Sequence, residues 1–168
     1  MKKTMSLLKM KTAVAAMAAT ILFSACGDPD TAAPDTAAPD TDPGRVVITG
    51  NDQMQFGLTE FTVAAGSEVT LVFQNIGQMP KDVMGHNLAI LTLGTDPDAF
   101  SAASQRHPDN EYIDPDLEDQ VLAATAVLGP GEEETLTFTA PETAGEYPFV
   151  CSFPGHTPAG MKGIMIVE

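Results

Sequence analysis

A thiol, an imidazole and a thioether, Cys151, His156 and Met161, follow one another near the end of the chain with four residues between each and the next. Pro154, Gly155, Pro158 and Gly160 bend the intervening stretch, and segments of strand-like composition flank it. Soft sulfur with borderline nitrogen donors suits copper, and two imidazoles plus a thiolate with a weak axial thioether form an electron-transfer geometry. Such a site needs a second imidazole. His86, in Met84-Gly85-His86-Asn87-Leu88-Ala89-Ile90, stands at the entry to an apolar run, so a neighbouring strand can deliver it to the loop. His107, in Arg106-His107-Pro108-Asp109-Asn110, has a polar, turn-rich context and is assigned to solvent. Zinc is the rival metal, since two histidines and a cysteine also suit it, but a thioether is a poor fourth ligand for zinc.

The cysteine usage agrees with a metal. The chain has 2 cysteines. Cys26 follows Leu22-Phe23-Ser24-Ala25, which resembles a bacterial lipobox, and Lys2, Lys3, Lys9 and Lys11 precede an apolar run at 13–23 that is short for a membrane span. Residues 1–25 therefore read as a lipoprotein signal peptide with Cys26 lipid-modified after cleavage; the simpler alternative is an ordinary secretory signal cut nearby. Cys151 is then left without a disulfide partner, and outside the cytoplasm a free thiol is prone to oxidation. Coordination would hold it as thiolate.

Residues 27–44 contain only Asp, Pro, Thr, Ala and Gly, with Thr-Ala-Ala-Pro-Asp repeated at 31–35 and 36–40. Having no large apolar residue, this segment cannot offset the entropy of ordering, and residues 26–44 read as a lipid-anchored, Pro-stiffened acidic linker. The formal charge of the whole chain is −15; loss of the four leader lysines leaves 4 cationic against 23 acidic residues, near −19. That surface repels nucleic acid and anionic headgroups and steers cationic proteins toward itself, more strongly at low salt.

Residues 45–168 remain as one domain, and it reads as all-β. Short segments rich in Val, Ile, Thr, Phe and Leu at 45–49, 60–64, 68–75, 86–93, 121–128, 133–140, 145–151 and 162–167 are punctuated by turn formers such as Ala65-Gly66-Ser67 and Gly129-Pro130-Gly131. Val69, Leu71 and Phe73 alternate with Thr70 and Val72, and Leu136 and Phe138 with Thr135, Thr137 and Thr139, so each strand turns one face to a core. About eight strands without a long amphipathic helix predict a two-sheet sandwich. Between 95 and 120 the pattern changes: Asp96 caps a helix begun by Pro97, with Ala99, Phe100, Ala102 and Ala103 as a weak apolar stripe, followed by a polar stretch. This is a helical flap inserted between strands. The Glu132-Glu133-Glu134 run reads as a solvated face.

Four motifs in order, Asn51-Asp52-Gln53-Met54-Gln55-Phe56, Met79-Pro80-Lys81-Asp82-Val83-Met84-Gly85-His86-Asn87, Tyr112-Ile113-Asp114-Pro115-Asp116 and Cys151-Ser152-Phe153-Pro154-Gly155-His156 with Met161-Lys162-Gly163, make the domain resemble the azurins, blue-copper cupredoxins. The resemblance runs from about residue 45 to 168 and implies a Greek-key cupredoxin sandwich. Four residues separate His156 from Met161 where azurins commonly have three, a spacing that resembles auracyanins and plastocyanins. The cysteine pair that staples the N-terminal part of azurins is missing.

The resemblance implies one copper ion with His86, Cys151 and His156 as equatorial ligands, Met161 as a long axial contact and the Gly85 backbone carbonyl as a weak one. It implies that the backbone N–H groups of Asn87 and Phe153 donate to the Cys151 sulfur and that the Asn87 side chain ties its strand to Ser152. The His156 ring edge is expected to reach solvent within an apolar docking patch of Met54, Met79, Met84, Phe153, Pro154 and Pro158 or Ala159, methionines suiting brief contact with more than one partner. The function implied is a monomeric electron carrier, not an enzyme, tethered to the membrane on its periplasmic or extracellular side. Its expected partners are redox proteins such as c-type cytochromes or membrane electron-transfer complexes. Two other readings stand beside it: copper handling or storage, and a copper domain of a larger redox enzyme.

Overall fold

The computed structural model describes residues 45–168. The expected signal peptide at 1–25, the lipidation at Cys26 and the linker at 26–44 lie outside the described residues. Nine strands form two mixed sheets. One holds β2 (Gln55–Phe56), β1 (Arg45–Asn51), β4 (Glu68–Asn75) and β7 (Glu133–Thr139) in that order; the other holds β3 (Glu60–Val63), β9 (Lys162–Val167), β8 (Gly145–Val150), β5 (Ala89–Leu91) and β6 (Val121–Ala124). Strands β1 and β4 are parallel, as are β3 and β9, and the other pairs are antiparallel. The expected all-β sandwich is the fold. The strand not foreseen is β2, whose two residues pair with the end of β1.

The alternating residues of β4 do face a core. Val69, Leu71 and Phe73 are buried, as is Val72, while Leu136 and Phe138 of β7 pack against the same core only partly covered. Phe149 of β8 fills the middle, with ring centroids 5.3 Å from Phe56 and 5.7 Å from Phe61. Cys151, Phe153 and Met161 belong to this core, so the hydrophobic interior runs directly into the loop that carries the sulfur donors.

Two expected strands are shorter than their composition suggested. The segment 121–128 leaves the ladder after Ala124 because side chains take its backbone donors: Ala126 N–H goes to the Glu134 carboxylate at 2.9 Å and Val127 N–H to that of Glu111 at 2.6 Å. The segment 86–93 is a strand only at Ala89–Leu91; ahead of it His86 forms an isolated bridge with Leu128, and Leu88 N–H is held by the Thr125 hydroxyl at 3.0 Å. Saturating a backbone donor with a side chain ends a ladder as effectively as a proline does. The acidic run is correspondingly more than a solvated face: Glu132, Glu133 and Glu134 each accept a hydrogen bond, from Gly129 N–H, the Gln74 amide and Ala126 N–H.

A four-residue helix, α1 (Lys81–Met84), stands just before His86 and was not foreseen. The flap helix α2 (Pro97–Ser104) begins as expected, with the Asp96 carboxylate accepting from the amides of Asp98 and Ala99. Its inward face is Phe100, Ser101 and Ser104 rather than the alanine stripe, with Ala99 and Ala102 exposed. Phe100 sets that rotation by packing with Ala89, Leu91 and Val150 in a second small cluster, against which Ile113 and Leu117 of the flap also rest.

Candidate metal centre

The fold brings His86, Cys151 and His156 together although the first two stand 65 positions apart in the sequence. Their donor atoms all lie within 4.8 Å of one another, and all three residues are buried. Cys151 Sγ is 3.3 Å from His156 Nδ1 and 3.9 Å from His86 Nδ1, and the two Nδ1 atoms are 3.1 Å apart. His107 takes no part: it is partly exposed and lies 3.5 Å from the Asp114 carboxylate.

The C-terminal loop owes its shape to bonds within itself. Cys151 N–H donates to Met161 O, Met161 N–H to His156 O, and His156 N–H to Phe153 O, with Gly155 and Gly160 in left-handed conformations at the bends. The buried Thr157 hydroxyl donates back to Cys151 O at 2.8 Å. Thr157 escaped the sequence reading, because a threonine in a turn-rich loop carries no sign of which carbonyl it will find.

His86 is placed from farther away. Its amide and carbonyl both bond Leu128. Gly85 is needed for space, its backbone being extended: a Cβ there would come within 2.5 Å of Lys81 O and of a Val127 methyl. Asn87, fully buried, ties this segment to the loop, its Oδ1 accepting from Ser152 N–H at 2.9 Å and its Nδ2 donating to Ser152 Oγ at 2.9 Å.

Gly50, at the end of β1, is a second position that sequence reading passed over. A Cβ on it would stand 2.9 Å from the Met161 methyl and 3.4 Å from the His86 ring, so both side chains press on residue 50, which has only hydrogen there. The expected docking residues are mixed in exposure: Met79 and Pro154 are exposed, as are Pro158 and Ala159, whereas Met54 and Met84 are half-buried and Phe153 is buried.

The expected solvent-reaching edge of His156 is corrected. The residue is only 2 % exposed, because its ring is packed 4.8 Å from Phe153 and 4.8 Å from His86. Exposed Pro154 and Gly155 before it and Pro158 and Ala159 after it leave the ring one residue beneath the surface.

Burial controls the protonation of the set. It pushes the Cys151 thiol up to about 12, against a smaller opposing effect of the Asn87 and Phe153 backbone N–H groups, which point at the sulfur and favour its thiolate. It holds His156 down at about 4, helped by the neighbouring His86, and lowers His86 as well, against the Asn51 carbonyl and the Asp52 charge. The His86 Nε2 is a buried nitrogen with no hydrogen bond; the Asn51 carbonyl is near enough to favour a proton on the ring but not in hydrogen-bonding geometry. A neutral imidazole with Nδ1 turned to sulfur and Nε2 turned to a backbone carbonyl is the arrangement of a ligating histidine. The donor set fits a soft, redox-active ion: two imidazole nitrogens, one sulfur able to become thiolate, and the buried thioether of Met161, whose methyl borders the same glycine as the His86 ring.

Residues 44–168 match the family described as copper binding proteins, plastocyanin/azurin family. The chain is 35 % identical over 126 residues to azurin of Pseudomonas aeruginosa, covering 73 % of this chain and 84 % of that protein. It is 38 % identical over 111 residues to outer membrane protein H.8 of Neisseria meningitidis, covering 65 % of this chain and 60 % of that protein. Among solved structures, auracyanin from the photosynthetic bacterium Roseiflexus castenholzii superposes with a TM-score of 0.67 at 33 % identity, over 74 % of this chain and 97 % of that one.

The chain belongs to the plastocyanin/azurin family of copper binding proteins. It is an azurin-like cupredoxin, one copper ion is its cofactor, and blue-copper electron transfer is the activity that the family and this donor set give.

Proposed function

We propose that this cupredoxin is a one-electron carrier, not an enzyme, held outside the cytoplasmic membrane by lipid on Cys26 and exchanging electrons with redox proteins across the thin cover over His156. The observation that carries the reading is the convergence of His86 Nδ1, Cys151 Sγ and His156 Nδ1 inside a buried pocket. Copper held there supplies a one-electron couple between its two oxidation states. His86, Cys151 and His156 would hold it, with the Met161 thioether and the Gly85 carbonyl as weaker further donors. The chain keeps water from the donors, keeps both imidazoles neutral, and fixes the sulfur between two backbone N–H groups. Burial of all three donors also leaves little room for a substrate, which is what favours a carrier over a catalyst.

Partners would meet the surface formed by Met54, Met79, Met84 and Pro154, with the acidic charge steering cationic redox proteins such as c-type cytochromes. The likeness to an outer membrane protein and the lipobox-like leader favour the tether. The test is direct: the protein loaded with Cu(II) should be intensely blue and should exchange electrons reversibly with a small c-type cytochrome, at a rate that falls with salt. A colourless complex that surrenders Cu(I) readily to a chelator would replace this reading with copper handling.

A further inference from the structure

Of all the non-glycine residues described, Met54, Glu111 and Tyr112 have left-handed backbones, and the last two are consecutive, with φ of 52° and 57°. Side chains avoid that conformation, and it persists only where the surroundings over-determine it. Both residues lie in the flap, and both reach out of it to the metal site. The Glu111 carboxylate accepts the Val127 amide at 2.6 Å, 16 residues away, and the Glu111 carbonyl accepts Asn87 Nδ2 at 2.8 Å, 24 residues away. Asn87 is the residue that joins the His86 segment to Ser152, next to Cys151. The Tyr112 ring meets Phe153 edge-on at 4.9 Å, and Phe153 packs against His156 at 4.8 Å. Two residues that offer no ligand thus touch the surroundings of all three donors.

We infer that Glu111 is a positioning residue for the copper site, the buckle of a strap that the flap lays across the ligand-bearing segments; this rests on the copper reading above. The carboxylate bond to Val127 holds residue 111 in its unfavoured conformation, and that conformation presents the carbonyl to Asn87. Without the carboxylate the backbone relaxes to ordinary φ values and the carbonyl withdraws. The buried Asn87 amide then keeps one acceptor instead of two and is free to turn from Ser152, loosening His86 against Cys151. Glu111 itself is exposed, so truncating it removes little packing, and the effect travels through hydrogen bonds.

The test compares Glu111→Ala, Glu111→Gln and Glu118→Ala with wild type. The Glu118 carboxylate accepts from the Asn110 side-chain amide, within the flap, at 3.3 Å, and its removal serves as the control for general loosening. Three quantities are read: the rate at which a competing chelator extracts copper, the reduction potential, and hydrogen exchange of the Ser152 amide in the metal-free protein. Glu111→Ala should extract about tenfold faster, with a moved potential and faster Ser152 exchange. Glu111→Gln, which keeps an acceptor oxygen, should recover most of each, and Glu118→Ala should leave all three at wild-type values. Glu111→Ala indistinguishable from Glu118→Ala in a blue wild-type background overturns the strap alone. A colourless wild-type complex overturns both the strap and the copper reading beneath it.

Discussion

The two histidines of the site reach the same point by unlike routes. His156 rides on a loop that is closed by its own backbone, with Cys151, Phe153, Thr157 and Met161 bonded to one another inside eleven residues. His86 rides on a segment that has left its sheet and is held by Leu128, Thr125, Ser152 and Glu111, all distant in sequence. One half of the site is therefore local and the other is a product of the whole fold. The loop should keep its shape through modest loss of stability, while the placement of His86 should follow the packing of the domain.

The largest expected effect tests the half they share. Cys151→Ser should abolish the blue charge-transfer absorption of the copper-loaded protein altogether, while the metal-free variant keeps its far-ultraviolet spectrum; residual intense blue colour would remove Cys151 from the ligand set. Next comes acid. Both imidazoles are held below the ordinary value of 6.5, His156 at about 4, so the unfolded chain binds more protons than the folded one in that interval. The metal-free domain should gain stability as pH rises from about 4 to 6.5, by on the order of 3 kcal/mol from His156. Denaturant titrations across that range check it, and a flat profile would show that the rings are already charged in the fold.

The comparison is sharpened by cutting one tie on each side. Asn87→Ala leaves Ser152 N–H buried without its acceptor and should cost about 2 kcal/mol, with a weakened copper affinity. Thr157→Val removes one hydrogen bond from the self-closed loop and should cost about 1.5 kcal/mol with a smaller effect on copper. If the loop variant lost copper faster than the Asn87 variant, the division into a local and a fold-dependent half would be wrong. Smallest is Asp96→Ala, which uncaps α2. It should cost about 1 kcal/mol in thermal or denaturant unfolding and leave the copper spectrum unmoved.

That division also explains what could be read from the residues in advance. Cys151, His156 and Met161 were legible as a donor set because a self-closed loop keeps its donors at fixed spacing along the chain. His86 was legible by elimination, with three histidines available and one in a turn-rich setting, and through the motif around it. The sandwich was legible in the alternation of β4 and β7. The strand ends were not, since Glu111, Thr125 and Glu134 end ladders through contacts that no local pattern announces. Burial of His156 was missed for the same reason: Pro154 and Gly155 suggested exposure, and the covering rings of Phe153 and His86 come from outside that dipeptide. Glu111 gave no signal at all, because a left-handed glutamate looks like any other acid in a polar stretch.

The height of the Cys151 thiol on the pH scale, about 12, bears on the life of the protein before it meets its metal. A sulfur that stays protonated and walled off is a sluggish nucleophile, slow to form mixed disulfides or to be consumed by peroxide. Burial would thus protect the Cys151 thiol in the metal-free chain more than an exposed thiol is protected, and copper bound there would require the thiolate, so its uptake would release a proton.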